Sequence, residues 1–229
     1  MLFDALGTLI ALQPPARALQ AELARRFELE IAEAESQRAL DAEIAYYRAH
    51  LDEGRDPPSV AALRGRCAQA LRAALPRSSR LACVGNDALT QALLASLRFT
   101  AFPDAAPAIA GCRARGQQIV VVSNWDVSLV DVLARLGLAP LLDAIVTSAQ
   151  TGVRKPSPGI FRRALDLAAV QPEHAIHVGD SLADDVAGAC AAGVKPILIR
   201  RDGLQGPPQV PTIGSLCELG ERLRCPAVP

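Results

Sequence analysis

Four places in the sequence carry side chains that could act together on an anionic substrate. Asp4 follows an apolar stub and precedes Leu6-Gly7-Thr8, where a carboxylate can sit beside exposed backbone N–H groups. Such a carboxylate can attack an electrophile or help to hold a cation. Ser123-Asn124 closes the run Ile119-Val120-Val121-Val122, and a hydroxyl with a backbone N–H at a helix start can hold a phosphate oxygen. Lys155, in Gly152-Val153-Arg154-Lys155-Pro156-Ser157-Pro158, is one of two lysines among 24 basic residues. Its choice over Arg suggests a site that needs a compact point charge. Asp180, Asp184 and Asp185 place three carboxylates in six residues, a set suited to Mg²⁺, which takes one or two carboxylates and keeps its waters. Taken singly, each also reads as an ordinary feature: a turn aspartate, a helix cap, a solvated lysine, an acidic first turn.

A parallel sheet would bring these places together. After Phe102-Pro103-Asp104 the sequence predicts a helix ending near Gly116, then strands over 119–123, 144–147, 175–178 and 196–199. Helices over 127–136, 158–169 and 183–192 separate those strands. Nearly continuous apolar strands alternating with helices specify a doubly wound α/β core covered on both faces. In such cores the ligand lies beyond the carboxyl ends of the strands, and Asp4, Ser123 and Asp180 each stand at or just past one. Between 14 and 97 the rhythm is helical instead, with Ala18, Leu19, Leu23 and Phe27 at helical spacing and breaks at Pro57-Pro58, Pro76 and Gly85-Asn86. The expected organisation is a core of 1–13 and 98–229 with an inserted all-helical unit, 14–97. Three residues precede Asp4, about 10 Å of strand where ~5–6 residues is usual. Either the first strand is short or the true start lies upstream of Met1.

The 229 residues balance 24 basic against 24 acidic side chains, and half are apolar. Without a basic excess or a basic run, nucleic acid and anionic membrane are not the expected partners. The longest strand-like run is far too short to span a bilayer. Six cysteines (Cys67, Cys83, Cys112, Cys190, Cys217, Cys225) show no CxxC pair and no zinc-ligand spacing, and no charged-then-apolar leader precedes Asp4. A cytoplasmic setting is expected; the oligomeric state is left open.

Order and spacing together carry more than any one motif. Phe-Asp4-Ala-Leu-Gly-Thr-Leu, Val-Val-Ser123-Asn124-Trp-Asp, Arg-Lys155-Pro-Ser-Pro and Gly-Asp180-Ser-Leu-Ala-Asp184-Asp185-Val-Ala-Gly-Ala resemble the haloacid dehalogenase superfamily of hydrolases. The helical insert is similar to that family's type-1 cap, and the α/β part to its Rossmann-like core. The resemblance implies that Asp4 attacks phosphorus in line and forms an aspartyl-phosphate. It implies that Asp4, the backbone carbonyl of Leu6, Asp180 and Asp185 (with Asp184 as the neighbouring alternative) hold Mg²⁺. Ser123 and Asn124 would bind phosphate oxygens, and Lys155 would offset the charge of Asp4 and the phosphoryl group.

The chain departs from this pattern at Leu6, where the family's phosphatases usually carry a second Asp that protonates the leaving oxygen. General acid–base help is worth ~10²–10⁴ in rate. The family's haloacid dehalogenases have Tyr there and lack the metal carboxylate, against which Asp180 argues. Phosphonoacetaldehyde hydrolase has Ala and a cap lysine, and no lysine occurs before Lys155. A substitute for that acid could come from the helical insert, where Tyr47 and His50 are the candidates, and the same segment is expected to close over the site and read the substrate; Tyr46 and His50 share a helix face. The preferred expectation is a Mg²⁺-dependent hydrolase of a small phosphorylated metabolite. A catalytically weak or inactive binding protein comes second, and a 2-haloacid dehalogenase third.

Overall fold

The computed structural model describes residues 1–222; Cys225 lies outside them. The described residues hold eight strands: β1 (Leu2–Phe3), β2 (Ile10–Leu12), β3 (Phe99–Ala101), β4 (Val120–Ser123), β5 (Ala144–Thr147), β6 (Ile176–Gly179), β7 (Lys195–Ile199) and β8 (Thr212–Ile213). Six of them form one sheet in the order β5-β4-β1-β6-β7-β8, and every pairing in it is parallel. Leu2 stands opposite Val120 and His177, and Phe3 opposite Val121 and Val178. The chain winds outward from β1 in both directions, so the order of strands reverses there. The carboxyl ends of β4, β1 and β6 therefore flank the crevice in which such sheets take their ligands.

The sheet forms because its strands are apolar on both faces. Leu2, Val120, Val122 and Val146 pack with Ile160, Phe161, Ala164 and Leu165 on one side. The chain divides into two units, Met1–Ala11 with the chain from Thr100 onward, and Leu12–Phe99. These boundaries fall two residues from the expected 13/14 and 97/98, because β2 and β3 form a hydrogen-bonded ribbon through which the chain leaves and re-enters the core. A strand of three residues shows no usable alternation, so the ribbon was invisible to periodicity.

The second unit contains α1 (Ala16–Phe27), α2 (Glu33–His50), α3 (Pro57–Ala74), α4 (Ser79–Cys83) and α5 (Asn86–Ser96). Local chemistry sets their ends. The Asp56 carboxylate accepts the Ser59 N–H at 2.8 Å ahead of Pro57 at the first helical position, and Ser78 caps α4 through the Leu81 N–H. Their apolar stripes close on a core that includes Leu19, Leu23, Leu40, Leu63, Leu71, Leu89 and Leu93. Core helices are α6 (Ala105–Arg113), α7 (Leu129–Arg135), α8 (Ser148–Thr151), α9 (Pro158–Ala168), α10 (Ala187–Ala191) and α11 (Leu219–Arg222). The architecture is a Rossmann-like parallel sheet with an inserted helical cap. One predicted helix differs: 183–192 is a π-helical turn, Leu182–Val186, running into α10. Such turns often occur at functional sites.

Candidate active site

Two glycines let the loops after β1 and β6 approach each other and themselves. Gly7 has φ +85°, and a Cβ on it would lie 2.2 Å from Asp180 Oδ2. The turn is tied by the Gly7 N–H to the Ile10 carbonyl at 2.8 Å and by the Leu9 N–H to the Ala5 carbonyl at 2.8 Å. A Cβ on Gly179 would lie 2.1 Å from Asp185 Cγ, so only Gly leaves room for that carboxylate to fold back over β6. Ser181 completes the fold-back: its Oγ accepts the Asp184 N–H at 3.1 Å and its own N–H donates to Asp185 Oδ2 at 3.0 Å. It is Asp185, not Asp184, that joins Asp4 and Asp180, with one carboxylate oxygen from each within 4.8 Å of the others.

Lys155 stands at the centre of this set. Its side chain is 3% exposed, and Nζ lies 2.5 Å from Asp4 Oδ1 and 2.6 Å from Asp185 Oδ1. Ser123 Oγ donates to Asp4 Oδ1 at 3.1 Å, and the Asp4 N–H donates to the Val178 carbonyl at 2.9 Å. Asn124 does something its motif did not reveal. Its Oδ1 accepts the Lys155 N–H at 2.8 Å and its Nδ2 donates to the Lys155 carbonyl at 3.1 Å. The Asn124 side chain thus holds the Lys155 main chain, and its backbone N–H is the group left for a phosphate oxygen.

Burial and charge oppose each other across the cluster. Burial pushes the Asp4 carboxyl up to about 6, Lys155 pulls it down, and the Asp185 charge adds to the rise. Burial works against the Lys155 ammonium, but the attraction of Asp4 and Asp185 outweighs it and holds the pKa above the ordinary lysine value. Asp185 is likewise penalised by burial, yet Lys155 and His177 hold it well below the usual carboxylate range. Asp180 is raised by desolvation and by the Asp185 charge. Three carboxylates share one ammonium, which leaves excess negative charge beside open oxygen lone pairs. That is a donor set for a hard divalent cation, and the residues present fit Mg²⁺.

Two residues escaped the sequence reading. His177, with 0% of its side chain exposed, lies in β6 with Nε2 2.9 Å from Asp185 Oδ1. An ionised carboxylate only accepts, so Nε2 carries the proton; Nδ1 finds no partner among the described residues. Arg201 clamps the turn after Asp4, donating from Nη2 to the Thr8 carbonyl at 2.7 Å and from Nε to the Gly7 carbonyl at 3.3 Å. It also forms a bidentate pair with Asp104, at 2.9 and 3.0 Å, and covers the Phe102 ring at 3.6 Å. A histidine inside an otherwise apolar strand was the available signal for the first. Nothing distinguished Arg201 among so many arginines.

In the helical unit His50 stacks on Tyr46 with ring centroids 4.3 Å apart, and its Nδ1 lies 2.8 Å from Glu53 Oε1. Arg66 donates to the Tyr46 hydroxyl at 3.1 Å and pairs with Glu53. Tyr47 packs, half-buried, against the apolar core of that unit.

A family model described as haloacid dehalogenase-like hydrolase matches residues 1–193. The chain is 47% identical to haloacid dehalogenase-like hydrolase domain-containing protein 3 of Mus musculus over 89 residues, 39% of this chain and 36% of that protein. It is 37% identical to the glyceraldehyde 3-phosphate phosphatase of Methanopyrus kandleri over 105 residues, 45% of each. The matched segments thus span less than half the length of either relative. A solved 2-haloacid dehalogenase from Pseudomonas syringae pv. Tomato DC3000 superposes with a TM-score of 0.65 at 24% identity, covering 97% of this chain and 96% of its own. At that identity the shared property is the fold.

Proposed function

We infer a function from one premise: the chain belongs to the haloacid dehalogenase-like hydrolase family. Our reading is a Mg²⁺-dependent phosphatase of a small phosphorylated metabolite, in the subfamily with a type-1 helical cap over residues 14–97, acting in the cytoplasm. The observation that carries it is buried Lys155 bridging Asp4 and Asp185 while Asp180 faces the same point. An ammonium and two carboxylates held that closely are expensive to bury, and screening the charge of an incoming phosphate gives the arrangement a use.

In this reading Asp4, the Leu6 carbonyl, Asp180 and Asp185 would hold Mg²⁺, which when bound supplies screening of the negative charge on phosphate and carboxylates. Asp4 is the nucleophile. Ser123 Oγ, which now donates to Asp4 Oδ1, turns to a phosphoryl oxygen, joined by the Asn124 N–H. Lys155 balances the charge shared by Asp4 and the phosphoryl group, and Asn124 keeps the lysine main chain in place. Tyr47 and His50 are our candidates for reading the rest of the substrate. The relative from Methanopyrus kandleri supports a phosphatase, but the substrate its name carries is not transferred.

One observation favours a second reading. Leu6, whose residue surface is 36% exposed, stands where this family's phosphatases carry their proton donor, as it would in a relative that binds without turning over. Dehalogenation ranks third, because a metal carboxylate is present at Asp180. The test is phosphate release from a metabolite panel with and without Mg²⁺, comparing the native chain with Asp4→Asn. Mg²⁺-stimulated release abolished in Asp4→Asn supports the phosphatase. No release from any phosphate compound moves the conclusion to the binding protein, and chelator-insensitive turnover of 2-haloacids moves it to the dehalogenase.

A further inference from the structure

The ionisable side chains gathered around Asp4 in the core unit are all committed. Lys155 is bound to two carboxylates. Asp185 is held by Lys155, His177 and the Ser181 N–H, and Asp180 completes the cation set. His177 is fully enclosed beneath Asp185 and out of reach of any ligand. Asp126 is buried and caps the Ser128 N–H at 2.7 Å, and Asp184 lies outside the carboxylate cluster. Asp180 is exposed, and the large apolar side chains that the two adjoining loops leave open are Leu6 at 36% and Leu182 at 41%. Among its described residues the core thus offers a nucleophile and charge compensation, without a side chain placed to give a proton to a departing oxygen.

We propose that the substrates are phosphorylated compounds whose leaving oxygen is a weak base, acyl phosphates and phosphoanhydrides, rather than phosphate esters of alcohols. The proposal rests on the phosphatase reading above and narrows it. A lone pair of the Asp4 carboxylate forms the new O–P bond while the old P–O bond breaks. Its electron pair leaves with the departing group as a carboxylate or phosphate anion, and no proton moves. Water then attacks phosphorus, the P–O bond to Asp4 breaks and restores its carboxylate, and the proton of the water passes to solvent as hydrogenphosphate departs. An acyl leaving group has a conjugate acid of pKa about 4. An alkoxide resembles hydroxide, whose conjugate acid, water, is near ~15.7. Only the second needs protonation as it leaves. The same lack of a base slows attack by water, so the aspartyl-phosphate accumulates during turnover.

The experiment uses the full native chain with Mg²⁺, acetyl phosphate, glycerol 3-phosphate and aryl phosphates of graded leaving-group pKa. Asp4→Asn corrects for spontaneous hydrolysis. Phosphate release is followed beside acid-quenched, hydroxylamine-labile phosphoenzyme. Acetyl phosphate should exceed glycerol 3-phosphate in kcat/KM by at least the ~10²–10⁴ that an acid normally supplies. The aryl series should fall steeply with leaving-group pKa, and phosphoenzyme should be present in the steady state. Leu6→Asp should raise the rate on glycerol 3-phosphate by about the same ~10²–10⁴. If that variant does not fold, the substrate series on the native chain decides alone. Equal kcat/KM for the two compounds, with a flat aryl series, overturns the leaving-group inference and leaves the phosphatase standing. No phosphoenzyme and no release above Asp4→Asn from any compound overturns the phosphatase reading instead.

Discussion

Lys155 carries the tightest local balance in the molecule: one buried ammonium between two buried carboxylates. Removing one partner of a buried ion pair leaves an uncompensated charge, at about 3–5 kcal/mol. Lys155→Met should therefore lose activity and, without Mg²⁺, unfold in urea at a stability lower by roughly that ~3–5 kcal/mol. Lys155→Arg should not restore activity, since a planar fork cannot place one donor between two oxygens already within hydrogen-bond distance of Nζ. Unchanged stability in Lys155→Met would mean that the carboxylates relax into solvent when the lysine goes. At this scale much of the cluster was legible in the sequence, because Asp4, Ser123 and Asp180 are marked by their strand ends and Lys155 by its rarity. The use of Asn124 on the Lys155 main chain and of His177 on Asp185 was not legible. Both depend on which way a side chain turns once strands are in register.

Between elements, Asp104 ties the start of α6 to the segments after β7 and β8. It accepts from Arg201, from Ser215 Oγ at 2.7 Å and from the Leu216 N–H at 2.9 Å. Burial opposes its charge, but these donors, Arg201 first, hold its pKa below the ordinary 3.8. A carboxyl depressed in the folded state contributes stability that is fully present above the unfolded value and is lost as pH falls through the folded value. Asp104→Asn should cost about 1.5–3 kcal/mol at neutral pH, the worth of hydrogen bonds to a charged group, and should flatten the acid side of the stability profile measured by urea titration. Glu43 in α2 has the opposite sign. It is buried, which raises its pKa above 4.5, with a hydrogen bond from Cys67 as a partial offset. Its contribution is fully present below 4.5 and lost as pH rises through the raised folded value. Glu43→Gln should remove that alkaline loss and unfold at higher urea than the native chain at pH 8; an equal or lower midpoint would contradict the assignment. The long alternating elements were readable from apolar runs. β2, β3, β8 and α8 were not, since two to four residues carry no period.

For the whole molecule, cation binding and folding are linked. If Asp4, Asp180 and Asp185 hold Mg²⁺, the ion stabilises the native chain by about 2.7 kcal/mol at one hundred times its dissociation constant. The midpoint of thermal unfolding should rise with Mg²⁺ and return with chelator, and Asp180→Asn should blunt the rise. No shift at millimolar Mg²⁺ would remove the cation from the proposal. The balanced charge of 24 against 24 side chains is compatible with one local acidic crevice, and the zero sum conceals it.

The ribbon of β2 and β3 has an evolutionary consequence. The Phe102 N–H donates to the Leu9 carbonyl and the Gln13 N–H to the Arg98 carbonyl. These bonds make the strands antiparallel neighbours, separated by the ~4.8 Å of any β pair. Departure and return of the chain therefore coincide in space, and a tight hairpin could join them as well as 86 residues do. The insertion is an exchangeable cassette. Its length or content can change without resetting a single pairing in the parallel sheet.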